Sequence, residues 1–320
     1  MGSQAMYPCV SIVIPLYNAA AYIGAAVDGI RKQTYTDWEL IVVDDGSTDE
    51  SVAVTGRVTE DLAGRFTLVR KANGGEPSAR NAGIAVARGE WIANTDADDW
   101  WEPTKLEKQL AATADPTCVM VHTGVIHHYP DGRIVPLDMT GSARRAGWCT
   151  RALLEPHSNC HPSILVRRTA LEQLGGYDVS YRQACDIDLY FRLSAIGTFA
   201  FVPEHLTHYR IHAGQLSRSP VEQIRAHHRA VHNFFDAHPA IREEIGEATI
   251  CSSLISHVEN KLESLYWQRS LSAFRELLQF ADESKLESSG IQNWKRRARW
   301  PDWAIHLKDL ATGRQSGPKR

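Results

Sequence analysis

Trp38-Glu-Leu-Ile-Val-Val-Asp-Asp-Gly-Ser-Thr-Asp49 passes directly from an apolar, β-branched run into a carboxylate turn. Glu39 to Val43 predicts a strand. Gly46 breaks it, and Ser47 to Glu50 has the spacing of a capping box that opens a helix. The same alternation spreads to both sides. Val10 to Ile14 is a second β-branched run, ended by Pro15, after which Asn18 is placed to cap a helix through about Gln33. Phe66 to Arg70, Pro77 to Ala87 and Trp91 to Thr95 continue it as strand, helix and strand. Alternation at this spacing predicts an α/β fold, a parallel sheet with helices on both faces.

Beyond Asp99 the texture changes. Cys118 to Tyr129 reads as a strand entering the turn Pro130-Asp131-Gly132, and Ile164 to Arg167 as a short strand. Thr169 to Leu174 reads as a short helix closed by Gly175-Gly176, Asp186 to Ile196 as a helix, and Phe199 to Val202 as a strand. From Ser219 onward only helix signals remain: Glu222 to Phe235, Glu243 to Leu265 and Ser270 to Phe280. We therefore expect an α/β catalytic domain over residues 7–218 and a helical C-terminal region over 219–320. Residues 1–6 (MGSQAM) read as an appended leader ahead of a native Met6.

The 320 residues are 43% hydrophobic and 23% charged, the balance of an ordinary soluble globule. Thirty-five basic residues stand against 38 acidic ones, a net charge of −3, which excludes a globally basic nucleic-acid binder. No run of eighteen apolar residues marks a spanning helix, and the N-terminus lacks the pattern of a signal peptide. The six cysteines, at 9, 118, 149, 160, 185 and 251, form no CxxC pair, which argues against structural zinc and fits a reducing, cytoplasmic setting.

Five constellations carry chemistry. Asp44-Asp45-Gly46-Ser47-Thr48-Asp49 stands at the carboxyl end of a strand, where doubly wound sheets bind ligands; taken singly it is also an ordinary acidic capping turn. Asp96-Ala97-Asp98-Asp99 follows another strand. Its three carboxylates repel one another unless a cation or protonation relieves them; hard oxygen donors suit Mg²⁺ or Mn²⁺, the reading favoured over a solvated acidic loop. Asn73 to Gly83 (NGGEPSARNAG) pairs glycines that let a ligand approach the backbone with Arg80, one turn into a helix, which can meet a phosphate or a base. It lacks the lysine of a P-loop. Asp186 stands near a helix start, either as a cap or as a base able to take a proton from an attacking hydroxyl. His212 closes Tyr209-Arg210-Ile211-His212, as a surface residue or as a metal or phosphate contact.

Together the motifs resemble a family-2 glycosyltransferase of the GT-A fold, a Rossmann-like mixed sheet flanked by helices. Val10 to Asn18 resembles that family's opening strand and Trp38 to Asp49 its nucleotide-binding strand. Asn73 to Asn81 with Ala87 to Asp99 resembles the approach to its DxD signature, and Leu174-Gly-Gly-Tyr-Asp178 its GGFD segment. The resemblance covers residues 9 to 215. It implies inverting transfer of a sugar from a nucleotide-diphosphate donor, uridine being the family's commonest base, to a saccharide or lipid-linked acceptor. Pro15 and Tyr17 would line the nucleoside pocket, and Asp45 would hold the base with Arg80 nearby. Asp96 and Asp98 would bridge ribose and a Mn²⁺ or Mg²⁺ ion, with Asp99 and His212 as further metal contacts. Asp186 would be the general base. Two departures stand out. Cys185 replaces the acidic residue that often precedes the base, and Trp267-Gln268-Arg269 does not supply the QxxRW segment, so a non-processive enzyme is expected.

Competing readings are a nucleotidyltransferase, whose N-terminal glycine-rich loop is missing, and a non-catalytic nucleotide-sugar-binding module. Arg144 to His161 reads as an acceptor loop made mobile by Gly141-Ser142 and Gly147, with His157 and His161 as packed or solvated residues or as acceptor contacts. Residues 291–320 hold eight basic residues against two acidic ones, with Trp294, Trp300 and Trp303 interleaved. That stretch reads as a solvated helical face or as a peripheral contact with the inner face of a membrane, although Pro301 breaks any single long amphipathic helix.

Overall fold

The computed structural model describes residues 9–140, 146–155, 161–212 and 219–300. Residues 1–8, residues 144–145 and 156–160 of the expected acceptor loop, His157 among them, and residues 301–320 lie outside them. The chain divides into two compact units, Met1–Leu153 with His157–Gln215, and Leu154–Pro156 with Leu216–Arg320.

The first unit is built on strands β1 (Val10–Leu16), β2 (Trp38–Asp44), β3 (Phe66–Arg70), β4 (Trp91–Asn94), β5 (Trp100–Trp101), β6 (Cys118–His128), β7 (Ile134–Pro136), β8 (Leu165–Arg167) and β9 (Thr198–Arg210). Its helices are α1 (Ile23–Arg31), α2 (Ser51–Val58), α3 (Glu76–Val86), α4 (Lys105–Ala111), α5 (Thr150–Leu153), α6 (Arg168–Leu174) and α7 (Cys185–Ser194). Among the described residues the strands form one mixed sheet in the order β3-β2-β1-β4-β8-β6-β9-β5, with β7 beside β6. The expected parallel half is present: β3, β2, β1 and β4 run parallel. The direction reverses at β8, and β6 and β9 are parallel to each other.

Every residue of β2, and all but Pro15 of β1, is buried, because helices cover both sheet faces, and so both strands read as nearly continuous apolar runs. On one face Gly83 of α3 lies so close to the sheet that a Cβ would stand 2.5 Å from Val13 Cγ1. At the amino ends of β1 and β2, Ser11 Oγ donates to Glu39 Oε1 at 2.6 Å, and the Arg88 guanidinium closes on Glu39 Oε2. That network satisfies the buried carboxylate of Glu39 and leaves the carboxyl ends of the strands for the site.

Local chemistry sets several boundaries apart from the sequence pattern. The first helix begins at Ile23, not Asn18, because Asn18 adopts φ 49° and turns its side chain to the neighbouring loop. The second begins at Ser51: Asp49, rather than Ser47, accepts from the backbone N–H of Ser51 at 2.9 Å. β9 runs for 13 residues where the pattern predicts only Phe199 to Val202, since register shifts opposite Thr123 and Gly124 carry the pairing past Pro203.

The second unit holds α8 (Pro220–Ala237), α9 (Pro239–Ile245), α10 (Glu247–Trp267), α11 (Leu271–Glu283) and α12 (Ser289–Ala298). Phe234, Leu254, Leu262, Phe274, Leu277 and Ile291 are buried in it. The expected helix 243–265 is two helices, because Gly246 takes φ 86° and ends α9. No helix among the described residues is long and apolar enough to cross a membrane.

Candidate active site

The carboxyl ends of β1 and β2 hold the first cluster. Pro15 is partly buried in β1, and Tyr17 just beyond it is 52% exposed. Asn18 binds the β1 loop to the β2 loop: its Oδ1 accepts from the backbone N–H of Thr48 at 2.8 Å, and its own N–H donates to Ser47 Oγ at 3.1 Å. Asp45 is buried. Its Oδ1 accepts from Lys71 Nζ at 2.6 Å and from the Gly74 N–H at 3.0 Å, and its Oδ2 accepts from the Gly75 N–H at 2.8 Å. Asp45 therefore pins the glycine loop that leads into α3. Gly75, at φ 85°, makes the turn that starts the helix.

The cation on Asp45 is thus Lys71, a residue to which the sequence pattern assigns no role. Arg80, expected near Asp45, is fully buried and has other partners. Its guanidinium pairs with Asp96, donates to Glu76 Oε1 from Nε at 3.0 Å, and to Asn94 Oδ1 from Nη1 at 3.3 Å.

The carboxyl end of β4 holds the second cluster. Asp96, Asp98 and Asp99 each present an oxygen, and these oxygens lie within 4.8 Å of one another. Asp98 Oδ2 lies 2.8 Å from His212 Nε2, so the structure brings the expected metal contacts of both segments together. Asp99 is fully buried. Its Oδ1 accepts from the backbone N–H of Arg210 at 2.8 Å, and its Oδ2 has no partner among the described residues. The Arg210 side chain reaches back to the Asp98 carbonyl, with Nε at 3.1 Å, and lies over Trp100, 4.8 Å from the ring centre.

Burial pushes the Asp96 carboxyl up to about 7, with Arg80 opposing and the charges of Glu76 and Asp98 adding to the rise. Burial, then the charges of Asp96 and Asp98, push Asp99 well above the ordinary carboxylate range. Three crowded carboxyls, of which Asp96 and Asp99 resist ionisation and Asp99 carries an orphaned buried oxygen, fit a hard divalent cation bound through oxygen.

The third element is the start of α7. Ala184 takes φ 56°, and Asp186 lies in the first turn of the helix. Burial, then the charge of Glu76, pushes Asp186 up to about 6, against hydrogen bonds from the helix's own first N–H groups. The neighbouring Cys185 thiol is buried and raised well above its usual range, first by burial and then by Glu76. The GGYD segment is held against α3 by Asn81, whose Oδ1 accepts from the Tyr177 N–H at 2.8 Å and whose Nδ2 donates to the Tyr177 carbonyl at 2.8 Å. Arg192 Nη1 donates to the Gly176 carbonyl at 2.9 Å.

Glu76 is the other residue with no role in the sequence pattern, and its charge reaches Asp96, Cys185 and Asp186 alike. Its signal lies in the four-residue spacing from Arg80.

The model of the family described as "Glycosyl transferase family 2" matches residues 11–175. An uncharacterized glycosyltransferase of Nostoc is 32% identical over 212 residues, 63% of this chain and 65% of that one. The chondroitin synthase of Pasteurella multocida is 30% identical over 229 residues, 71% of this chain and 23% of that one, so the match spans less than two thirds of either relative. Among solved structures, Staphylococcus aureus TarS 1–349 in complex with UDP superposes with a TM-score of 0.63 at 16% identity, over 96% of this chain and 92% of that one. The mannosyltransferase PcManGT of Pyrobaculum calidifontis, in complex with GDP-Man and Mn²⁺, gives 0.58 at 19% identity, over 96% and 88%.

Proposed function

The chain belongs to glycosyl transferase family 2 and has the GT-A fold, and from that premise we propose that it is a metal-dependent, inverting enzyme of saccharide assembly. In this reading it moves one sugar from a nucleotide-diphosphate donor to an acceptor hydroxyl. The observation that carries the reading is the meeting of Asp96, Asp98, Asp99 and His212 at the carboxyl end of β4, in the same unit as a base-competent Asp186.

Pro15, Tyr17 and the Asp45–Lys71 loop receive the nucleoside, as ligands are received at the carboxyl ends of strands in such sheets. Arg80 orients Asp96, and Arg210 orients Asp98 and Asp99. Asp98, Asp96, Asp99 and His212 are the residues that would hold Mn²⁺ or Mg²⁺. Such an ion, when bound, supplies Lewis acidity that balances the charge growing on the departing diphosphate. Asp186 takes the proton from the acceptor hydroxyl as its oxygen bonds to the anomeric carbon and the bond to the diphosphate breaks. A single displacement of this kind inverts the centre. A carboxyl raised to about 6 is ionised at neutral pH, yet basic enough to accept that proton.

UDP and GDP-Man occupy the two structural neighbours, which makes UDP- and GDP-sugars the first donors to test, uridine being the family's commonest choice. The chondroitin synthase relative supports a saccharide acceptor, free or lipid-linked. α12 contributes Lys295, Arg296 and Arg297 to a peripheral membrane contact through residues 291–320. Liposome flotation without binding sinks that contact. The deciding test of the enzyme is Asp186→Asn. It is expected to retain nucleotide-sugar binding and lose transfer to a saccharide panel; unchanged turnover removes Asp186 from the mechanism.

A further inference from the structure

In-line transfer fixes where the donor sugar must lie. Its anomeric carbon stands between the diphosphate, whose charge a cation held by Asp96, Asp98 and Asp99 would balance, and the base Asp186. Glu76 connects those two ends. It is the first residue of α3, directly after the glycine pair, and its side chain is 28% exposed. Its Oε1 takes both Nε and Nη2 of Arg80, at 3.0 and 2.9 Å, and the same guanidinium holds Asp96. That ties Glu76 to the metal side. On the other side, no neighbouring charge acts on Asp186 more strongly than that of Glu76. Its Oε2 has no hydrogen-bond partner among the described residues.

We propose that Glu76 forms the subsite that receives a hydroxyl of the donor sugar, and that it restricts the donor to neutral, hydroxyl-bearing sugars. The proposal rests on the glycosyltransferase reading above. An ionised carboxylate is an acceptor only, and a sugar hydroxyl is the donor that satisfies it. The positive charge of Arg80 is already shared between Glu76 and Asp96. A uronate donor would therefore bring a third anion beside Glu76 and Asp186 with no free cation on Arg80 to receive it. A site arranged to bind a hydroxyl discriminates strongly against a donor that cannot offer one.

The test separates the sugar from the nucleotide. Calorimetric affinities in Mn²⁺ are measured for UDP, UDP-glucose, UDP-galactose, their N-acetylamino forms and UDP-glucuronate, with GDP and GDP-mannose as the second base. The wild type is expected to bind its best neutral nucleotide-sugar more tightly than the bare nucleotide, and UDP-glucuronate more weakly. Glu76→Ala is expected to lose about tenfold on the neutral sugar while its affinity for the bare nucleotide is unchanged. Glu76→Gln, which can still accept from Arg80, is expected to narrow the gap to UDP-glucuronate. A loss shared equally by nucleotide and nucleotide-sugar indicates damage to the Arg80 network only and overturns the proposal. So does an unchanged ratio in both variants, or a wild type that prefers the uronate. A wild type that binds no nucleotide at all refutes the donor reading itself, and the subsite falls with it.

Discussion

The guanidinium of Arg80, wholly out of solvent, clasps the carboxylate of Asp96. A buried cation of this kind is tolerable only because carboxylates surround it, and Glu76 and the Asn94 amide oxygen complete its shell. The sequence offers Arg80 as a ligand contact; the structure makes it the support on which the Asp96 carboxylate rests.

Removing that support is expected to be severe. Arg80→Ala leaves Asp96 and Glu76 facing each other without a cation and should lower stability by about 3–5 kcal/mol. Arg80→Lys should recover only part of the loss, since an ammonium cannot reproduce the fork. Urea denaturation of the two variants beside the wild type checks this, and an Arg80→Lys midpoint equal to that of the wild type would contradict the fork argument.

Asp186 links activity and stability to pH with opposite signs. Its folded-state carboxyl is raised to about 6, above the ordinary carboxylate value, so the native state binds the extra proton and stability falls as pH rises through that window. Asp186→Asn should therefore be more stable than wild type at pH 7.5, on the order of 1–2 kcal/mol after allowance for partial exposure, with no gain near pH 4. In the wild type kcat/KM should fall on the acid side with an apparent pKa near 6. Glu76→Gln should move that limb lower, because burial and then Glu76 hold it up. Melting curves and pH–rate profiles read the two effects separately.

Divalent metal should bind more tightly as pH rises. The Asp96 carboxyl is raised to about 7 and Asp99 is raised well above its ordinary range, both chiefly by burial, so cation binding must displace protons. The Tm gain produced by Mn²⁺ is expected to be larger at pH 8 than at pH 6 and to vanish in Asp98→Ala. A gain independent of pH and of Asp98 would place the ion elsewhere.

Gly83 gives a prediction that helix propensity alone gets wrong. In the interior of α3, alanine would ordinarily be favoured over glycine by about 1 kcal/mol. Here the added Cβ meets Val13 Cγ1 at 2.5 Å and Val43 Cγ2 at 3.2 Å, and β-branched side chains cannot swing away. Gly83→Ala should therefore lower stability by about 1–3 kcal/mol, measurable as a reduced denaturation midpoint.

The parts of the molecule most legible from sequence are those encoded locally. β1 and β2 declare themselves by apolar runs, and Asp96, Asp98 and Asp99 stand together because they are neighbours in the chain. Lys71 is hidden because a single lysine after a strand carries no pattern, and only the fold of the glycine loop turns it onto Asp45. Asn18 looks like a helix cap because its residue type favours one, yet a left-handed backbone sends its amide to Thr48 instead. Pro203 and Glu204 interrupt the alternation of β9 and so shorten it in sequence; pairing with β6 overrides that local signal. α12 is hard to read because it is short and strongly basic, and its start depends on the Ser288 hydroxyl accepting from the Ile291 N–H at 3.0 Å.

The hydrogen bond from the Arg210 N–H to Asp99 spans 111 positions of chain. During synthesis every acidic residue of the β4 loop therefore emerges from the ribosome long before the strand that fixes Asp99. A nascent or prematurely terminated polypeptide ending short of β9 has the three carboxylates but neither the Arg210 bond nor His212. On the proposed reading, competence for metal and donor therefore arrives only once β9 and His212 have been made, however early the carboxylates are in place.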